Sequence, residues 1–173
     1  DAILLIGDFT AMIGDPTDKS SARKKLTKNE VLKNCKLYKK QASSLLKFGF
    51  FGAKLKFNSK WLAKLSFTDV LELASNITYA QNIKRSMFQE RIKEEKDIYL
   101  NEFMYPIMQG YDSVAMDVDG EVGGNDQMFN MLVGRDLLKK LKNKEKFVIT
   151  TKILADQSGK KMGKTEGNMI AFL

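Results

Sequence analysis

Short apolar runs alternate with helix-periodic stretches along this chain, and that alternation constrains its fold more than any other feature. Ala2, Ile3, Leu4, Leu5 and Ile6 form an unbroken apolar run that stops at Gly7, the pattern of a strand buried on both faces. Ala53, Leu55 and Phe57 alternate with Lys54 and Lys56, the period-two pattern of a half-buried strand. A third β-rich run covers residues 147–151. Between the first two, Thr27 and Glu30 have capping-box spacing, and Val31, Cys35, Tyr38, Ala42, Leu45 and Leu46 recur at helical spacing; this predicts a helix ending near Gly49. Residues 60–95 read as mostly helical, with Ser66 and Thr78 as caps of two pieces. Residues 101–111 predict a helix interrupted by Pro106, and residues 121–127 a glycine-containing loop, after which Asn125 caps a helix to about Leu141. A polar loop rich in glycine and lysine follows through Asn168. Strands alternating with helices predict an α/β fold, a mainly parallel sheet with a helical insertion in its middle.

Composition narrows the chemistry. The 173 residues contain no histidine and one cysteine, Cys35. Serine–histidine triads, histidine-ligated metals, imidazole acid–base catalysis and an internal disulfide framework are therefore excluded for these residues alone. Length fits one domain or most of one. Basic residues outnumber acidic ones 29 to 21, a net charge of +8 carried by 25 lysines and four arginines, which favours a polyanionic partner only weakly. No apolar run approaches the ~20 residues that span a bilayer, and no cleavable signal pattern opens the chain. A soluble, cytoplasmic protein with no membrane partner is expected. The start at Asp1 and the apolar finish Ala171, Phe172, Leu173 read as cuts from something longer.

Four segments carry polar groups that chemistry could use. Asp15, Lys19 and Arg23 recur at four-residue intervals after the first strand; Lys19 and Arg23 could clamp phosphate oxygens or belong to a solvated turn. Tyr105, Gln109 and Asp112 are spaced i, i+4, i+7, a polar stripe on an otherwise apolar helix. Such a stripe needs partners, either an internal network or a small zwitterion or phenol. Gly123, Gly124, Asn125, Asp126 and Gln127 open the next helix, where glycines admit close backbone approach and unpaired N–H groups point outward; a simple capped loop would look the same. Gly159, Lys160, Lys161, Met162, Gly163, Lys164 and Thr165 form either a flexible basic loop or a lysine arm for polyphosphate. Neither lysine segment is a P-loop: Asp18 stands where the first would need glycine, and Ser158 where the second would.

In this order the segments resemble the catalytic domain of class I aminoacyl-tRNA synthetases, specifically the tyrosyl-tRNA synthetase family. The resemblance runs through Ile6 to Pro16, the Asn58, Trp61 and Leu62 positions, Arg85, Phe88 and Arg91, the Glu102 to Pro106 stretch with Gln109, Tyr111 and Asp112, the Gly123 to Gln127 loop, and Lys161-Met162-Gly163-Lys164-Thr165 as a lysine signature loop. It implies a Rossmann-like parallel sheet, residues 1–173 forming a partial catalytic domain, and residues at roughly 60–135 forming a helical insertion and dimer-interface region. The resemblance implies L-tyrosine, ATP and tRNA as partners, ATP being a substrate accompanied by Mg2+, no protein-ligated metal, and a homodimer.

By position, the resemblance implies that Asp15, Tyr105 and Gln109 hold the tyrosine α-ammonium and that Asp112 accepts the phenolic hydroxyl. Gln127 would orient the substrate near its carboxylate, and Gly124 and Asp126 would lie at the adenylate ribose. Lys19 and Arg23 match a basic pair on the pyrophosphate side, and Lys161 and Lys164 the mobile lysines that stabilise the transferring phosphates. Adenylate formation is an in-line attack on a phosphate, so positioning and charge suffice without a side-chain nucleophile. Gly163 and Thr165 replace serines of the lysine loop, and Glu121 stands where many members have glutamine. The family's His-Ile-Gly-His element lies outside this chain, so weak or no adenylation is expected from these residues alone. The rival expectations are a tryptophanyl enzyme and a non-catalytic RNA-binding or regulatory relative.

Overall fold

A computed structural model describes residues 2–15, 26–159 and 161–162. The apolar run forms strand β1 (Ile3–Ile6), which continues through Gly7 into a one-turn helix α1 (Thr10–Ile13). Helix α2 (Lys28–Cys35) starts at the expected capping box, the Thr27 hydroxyl accepting from the Glu30 N–H and the Glu30 carboxylate accepting from the Thr27 N–H. The expected single helix to Gly49 is instead two pieces, α2 and α3 (Tyr38–Ala42). The hydroxyls of Ser43 and Ser44 bond back to the carbonyls of Lys39 and Gln41, offering the backbone an alternative to further helix. Val31 is the only buried residue of the two, so little packing opposes the break.

Strand β2 (Lys54–Phe57) pairs parallel with β1, Ile3 facing Lys54 and Ile6 facing Phe57. Helices α4 (Ser59–Leu62), α5 (Phe67–Ala74), α6 (Tyr79–Ile83) and α7 (Ser86–Lys93) follow. Ser66 and Thr78 cap α5 and α6 as expected, each in a reciprocal box with Asp69 or Gln81.

Pro106 does not interrupt its helix. Helix α8 (Leu100–Met116) runs unbroken through it and ends at Asp117 in the left-handed conformation (φ 55°). An internal proline costs about 3 kcal/mol in a helix; here Pro106, Ile107, Gly110, Asp112, Ser113 and Val114 are all buried, and that packing outweighs the lost backbone bond. The partner is α9 (Met128–Lys142). Gly110 and Gly134 meet where the two helices cross: a Cβ on Gly110 would lie 2.9 Å from Val133 Cγ1 and 3.1 Å from the Gly134 nitrogen. Val114, Val133, Leu137 and Leu138 form the buried cluster beside the crossing, with Ile77, Tyr111 and Phe129 packed against it.

The expected loop at 121–127 is strand β3 (Gly120–Gly124) followed by a 3-10 turn (Asn125–Gln127). β3 pairs parallel with β4 (Phe147–Thr151), Glu121 opposite Val148 and Gly124 opposite Thr151. The β-branched run of β4 imposes the strand that the glycines hide. Asn125 is not the helix cap, since no side chain caps the turn or α9. The described strands thus form two parallel pairs joined by right-sized helical connections, an α/β architecture. Among the described residues no helix is long and apolar enough to cross a membrane.

A buried ion pair ties α7 to α8. Arg91, 1% exposed, donates to both Glu102 oxygens at 2.6 and 2.9 Å and also to the Asp97 carbonyl. The Glu102 carboxylate raises the Arg91 pKa above its already high ordinary value.

Candidate functional site

Three of the four groups of candidate residues follow the carboxyl end of a parallel strand, where ligands bind in open α/β sheets. Asp8, Thr10 and Asp15 follow β1, Asn58 and Trp61 follow β2, Asp126 and Gln127 follow β3, and Lys161 follows β4. Helix α8 supplies Tyr105, Gln109 and Asp112.

Asp112 is 4% exposed. Its Oδ1 accepts from the Trp61 indole N–H at 2.7 Å, and its Oδ2 from the Asn58 amide at 3.3 Å. Asn58 is itself fully buried: its Oδ1 accepts from the Phe9 N–H at 2.9 Å, and its amide also donates to Thr10 Oγ1 at 3.2 Å. Asp8 Oδ1 accepts from the Ser59 N–H at 2.9 Å, so β1 and β2 are laced together at the site end. Burial pushes the Asp112 carboxyl up from 3.8 to about 7; the Trp61 and Asn58 hydrogen bonds pull it down, and the charges of Glu121 and Asp8 push it up. Such a carboxyl can accept a hydrogen bond from a hydroxyl or, once protonated, donate one.

A second network lies a helical turn away. The Gln127 amide donates to Asp15 Oδ2 at 2.8 Å and to Asp126 Oδ2 at 3.4 Å. The Asn130 amide donates to Gln127 Oε1 and to Gln109 Oε1, both at 3.0 Å. Asp15, Gln127, Asn130 and Gln109 thus form one continuous chain from the segment after β1 through α9 to α8. The Lys161 ammonium pairs with Asp126 Oδ2 at 2.5 Å, while Tyr105 sits half-buried one turn before Gln109.

Five of the expected site residues, Asp15, Gln109, Asp126, Gln127 and Lys161, are therefore joined by hydrogen bonds or ion pairs through Asn130. Asp112 stands on the same helix in its own network. Gly124 ends β3 beside Asp126, where a Cβ would fall 2.4 Å from Asp126 Oδ1, so only glycine leaves that carboxylate its position. Lys19, Arg23 and Lys164, with Gly163 and Thr165, lie outside the described residues. The expectations assigned no role to Asn58, Trp61 or Asn130. Asn58 had a signal in its place directly after a strand. Asn130 had one too, a polar side chain three residues beyond Gln127 on a helix face that otherwise buries Met131, Val133 and Leu137. Among the described residues no group of three or more acidic or cysteine side chains is placed to hold a metal ion.

A family model described as tRNA synthetases class I (W and Y) matches residues 1–173. Tyrosine–tRNA ligases of Carboxydothermus hydrogenoformans and Thermotoga maritima are 48% and 46% identical over 99% and 98% of this chain. The chain spans about two fifths of the length of these curated relatives, 42% of each. Among solved structures, a tyrosyl-tRNA synthetase complexed with L-tyrosine from Archaeoglobus fulgidus superposes with a TM-score of 0.71 at 28% identity, covering 98% of this chain and 50% of that one. A C-terminally truncated mitochondrial tyrosyl-tRNA synthetase of Coccidioides posadasii gives 0.73 at 26% identity, covering 93% and 52%.

Proposed function

The chain belongs to the class I tRNA synthetases of the W and Y family, on the tyrosyl side of it, and on that premise we propose that the protein containing it activates L-tyrosine with ATP and transfers it to the 3' end of its tRNA. One observation carries the choice of amino acid: a carboxylate buried on α8, held from behind by Trp61 and Asn58, on the same helix as the amide chain that ends at Gln109. A phenolic hydroxyl donates to Asp112, and phenylalanine would bury that carboxylate further without supplying the hydroxyl hydrogen bond. Tyrosyl-tRNA synthetases are the standard illustration of this discrimination.

In this reading Asp15, Gln109 and Tyr105 accept from the α-ammonium, and Gln127, fixed by Asn130, orients the carboxylate for in-line attack on the α-phosphate of ATP. The bond to the α-phosphate forms as the bond to pyrophosphate breaks, so positioning lowers the barrier and no side chain becomes covalently modified. Asp126 and Gly124 hold the ribose. Lys161, with Lys164, Lys19 and Arg23, stabilises the phosphates; ATP enters with Mg2+ as part of the substrate. Because Lys161 rests on Asp126, arriving phosphates compete with that carboxylate for the ammonium, which couples nucleotide entry to movement of the lysine loop.

The same reading makes residues 1–173 part of the catalytic domain of a cytoplasmic homodimer. Its interface would lie within the helical segment at roughly 60–135, where Phe67, Tyr79 and Leu100 stand exposed. Light scattering of the full-length protein should give a dimer at micromolar concentration; a monomer would remove that part.

The deciding experiment is exchange of labelled pyrophosphate into ATP by the full-length protein, with tyrosine, phenylalanine and tryptophan compared. Exchange with tyrosine alone is expected. Exchange with tryptophan would move the assignment to the other branch, and none from a folded protein would favour a non-catalytic RNA-binding role.

A further inference from the structure

Lys146 directly precedes β4, and its side chain is fully buried. The ammonium donates to Glu121 Oε2 at 2.5 Å and to Ser113 Oγ at 2.8 Å, and Ser113 Oγ lies 3.2 Å from the same Glu121 oxygen as a donor to it. Gly134 makes the room: a Cβ there would come within 2.8 Å of Lys146 Nζ and 2.9 Å of Ser113 Oγ. The glycine crossing of α8 and α9 therefore admits a cation as well as a close helix contact. A lysine withdrawn this far from water is tolerated only against a compensating charge with its donors satisfied, and Glu121 supplies that charge.

What Lys146 touches is what acts on Asp112. Ser113 is the next residue on α8, and the Glu121 carboxylate is one of two anions that press on Asp112, the other being Asp8 from the segment after β1. The groups after β2 that face Asp112, Asn58 and Trp61, are neutral donors. From the α9 side Gly134 presents no side chain. Among the described residues Lys146 is the cation hydrogen-bonded to Glu121.

We propose that Lys146 is a positioning residue of the amino-acid site: it offsets the Glu121 charge behind Asp112 and pins Ser113, so that Asp112 keeps both its place and its capacity to accept a hydroxyl hydrogen bond. The inference rests on the reading of Asp112 as the hydroxyl acceptor. Without the ammonium the Glu121 carboxylate, a quarter exposed, stands uncompensated, and its charge drives the buried Asp112 toward its protonated form at neutral pH. In E121Q the opposite holds, because the lysine charge is left to favour ionised Asp112.

The test follows Asp112 itself and then its use. In the full-length protein carrying 13C-labelled aspartate, the Asp112 carboxyl is titrated by NMR in wild type, K146M, E121Q and K146M/E121Q. The midpoint is expected to rise by about one unit in K146M, to fall in E121Q, and to return toward wild type in the double variant. In pyrophosphate exchange, K146M should raise the KM for tyrosine about fivefold at pH 7, because a midpoint moved one unit up from about 7 cuts the ionised fraction of Asp112 from about a half to about a tenth. The defect should shrink toward pH 9 while the KM for ATP stays unchanged. Equal, pH-independent losses in both KM values and kcat, or an unmoved Asp112 midpoint, would overturn the proposal and leave Lys146 a packing residue. If K146M does not fold, E121Q against K146M/E121Q decides, the double variant leaving no unpaired buried charge: a lysine that acts through its charge holds the Asp112 midpoint lower in E121Q than in the double variant, and equal midpoints overturn the proposal. A wild type that shows the titration pattern but no tyrosine-dependent exchange would strike the functional reading and spare the coupling.

Discussion

Trp61 donates its indole N–H to Asp112 Oδ1 at 2.7 Å across 51 residues of sequence. The bond joins the first helix after β2 to the centre of α8, and it holds a carboxylate that burial would otherwise neutralise. Trp61→Phe keeps most of the apolar packing and removes the donor. A hydrogen bond to a charged group is worth about 1.5–3 kcal/mol. The expected result is a loss of tyrosine over phenylalanine discrimination in pyrophosphate exchange of roughly tenfold or more, with the KM for ATP little changed.

The same carboxyl makes stability depend on pH. Its folded pKa of about 7 lies above the ordinary 3.8, so between these values the folded state binds a proton that the unfolded state has released. Stability from this group is complete below about pH 4 and is lost as pH rises through 7. Asp112→Asn removes the dependence. Urea midpoints should show the variant gaining on wild type between pH 4 and 7, by an amount on the order of a few kcal/mol, with a constant difference above pH 8.

Asn130 is the joint between Gln109 and Gln127. Asn130→Leu deletes both donated bonds at a fully buried position. Loss of 1–3 kcal/mol of positioning should appear as a rise in the KM for tyrosine of about tenfold or more, while Asn130→Asp, which cannot donate to both amide oxygens, should not rescue it.

Arg91 and Glu102 form a buried bidentate pair. Breaking it from one side strands a charge, which typically costs about 3–5 kcal/mol, whereas replacing both partners by apolar residues is often near neutral. Chemical denaturation should therefore find Arg91→Met severely destabilised and the Arg91→Met, Glu102→Leu double variant largely restored.

Gly110→Ala distinguishes helix propensity from packing. Alanine is favoured in a helix by about 1 kcal/mol, yet its Cβ would meet Val133 Cγ1 at 2.9 Å and the Gly134 nitrogen at 3.1 Å. Overpacking typically costs about 1–3 kcal/mol, so a net loss of stability is expected in thermal melts.

Much of this architecture was legible because its signals are local. The capping boxes at Thr27, Ser66 and Thr78 depend on residues three apart, and strands β1, β2 and β4 on short apolar or alternating runs. Misreadings came where distant partners overrode local chemistry. The glycines of β3 suggested a loop until β4 lay beside them, Pro106 suggested a break until α9 packed across α8, and the two serines after Ala42 ended a helix that periodicity alone would have extended.

The site divides in the same way. The stripe Tyr105, Gln109 and Asp112 is a consequence of helical spacing, and the glycine pair before Asp126 and Gln127 announces close backbone approach, so sequence alone placed these side chains near one another in kind. It could not state which groups complete them. Trp61 and Asn58 against Asp112, Asn130 between two glutamines, and Lys146 against Glu121 join residues up to dozens of positions apart, and the long-range ones exist only after the parallel strands pair and α8 packs across α9. Side-chain type and periodicity are properties of the chain. The charge state and direction of a buried carboxylate depend on what surrounds it, and that is decided by the tertiary packing.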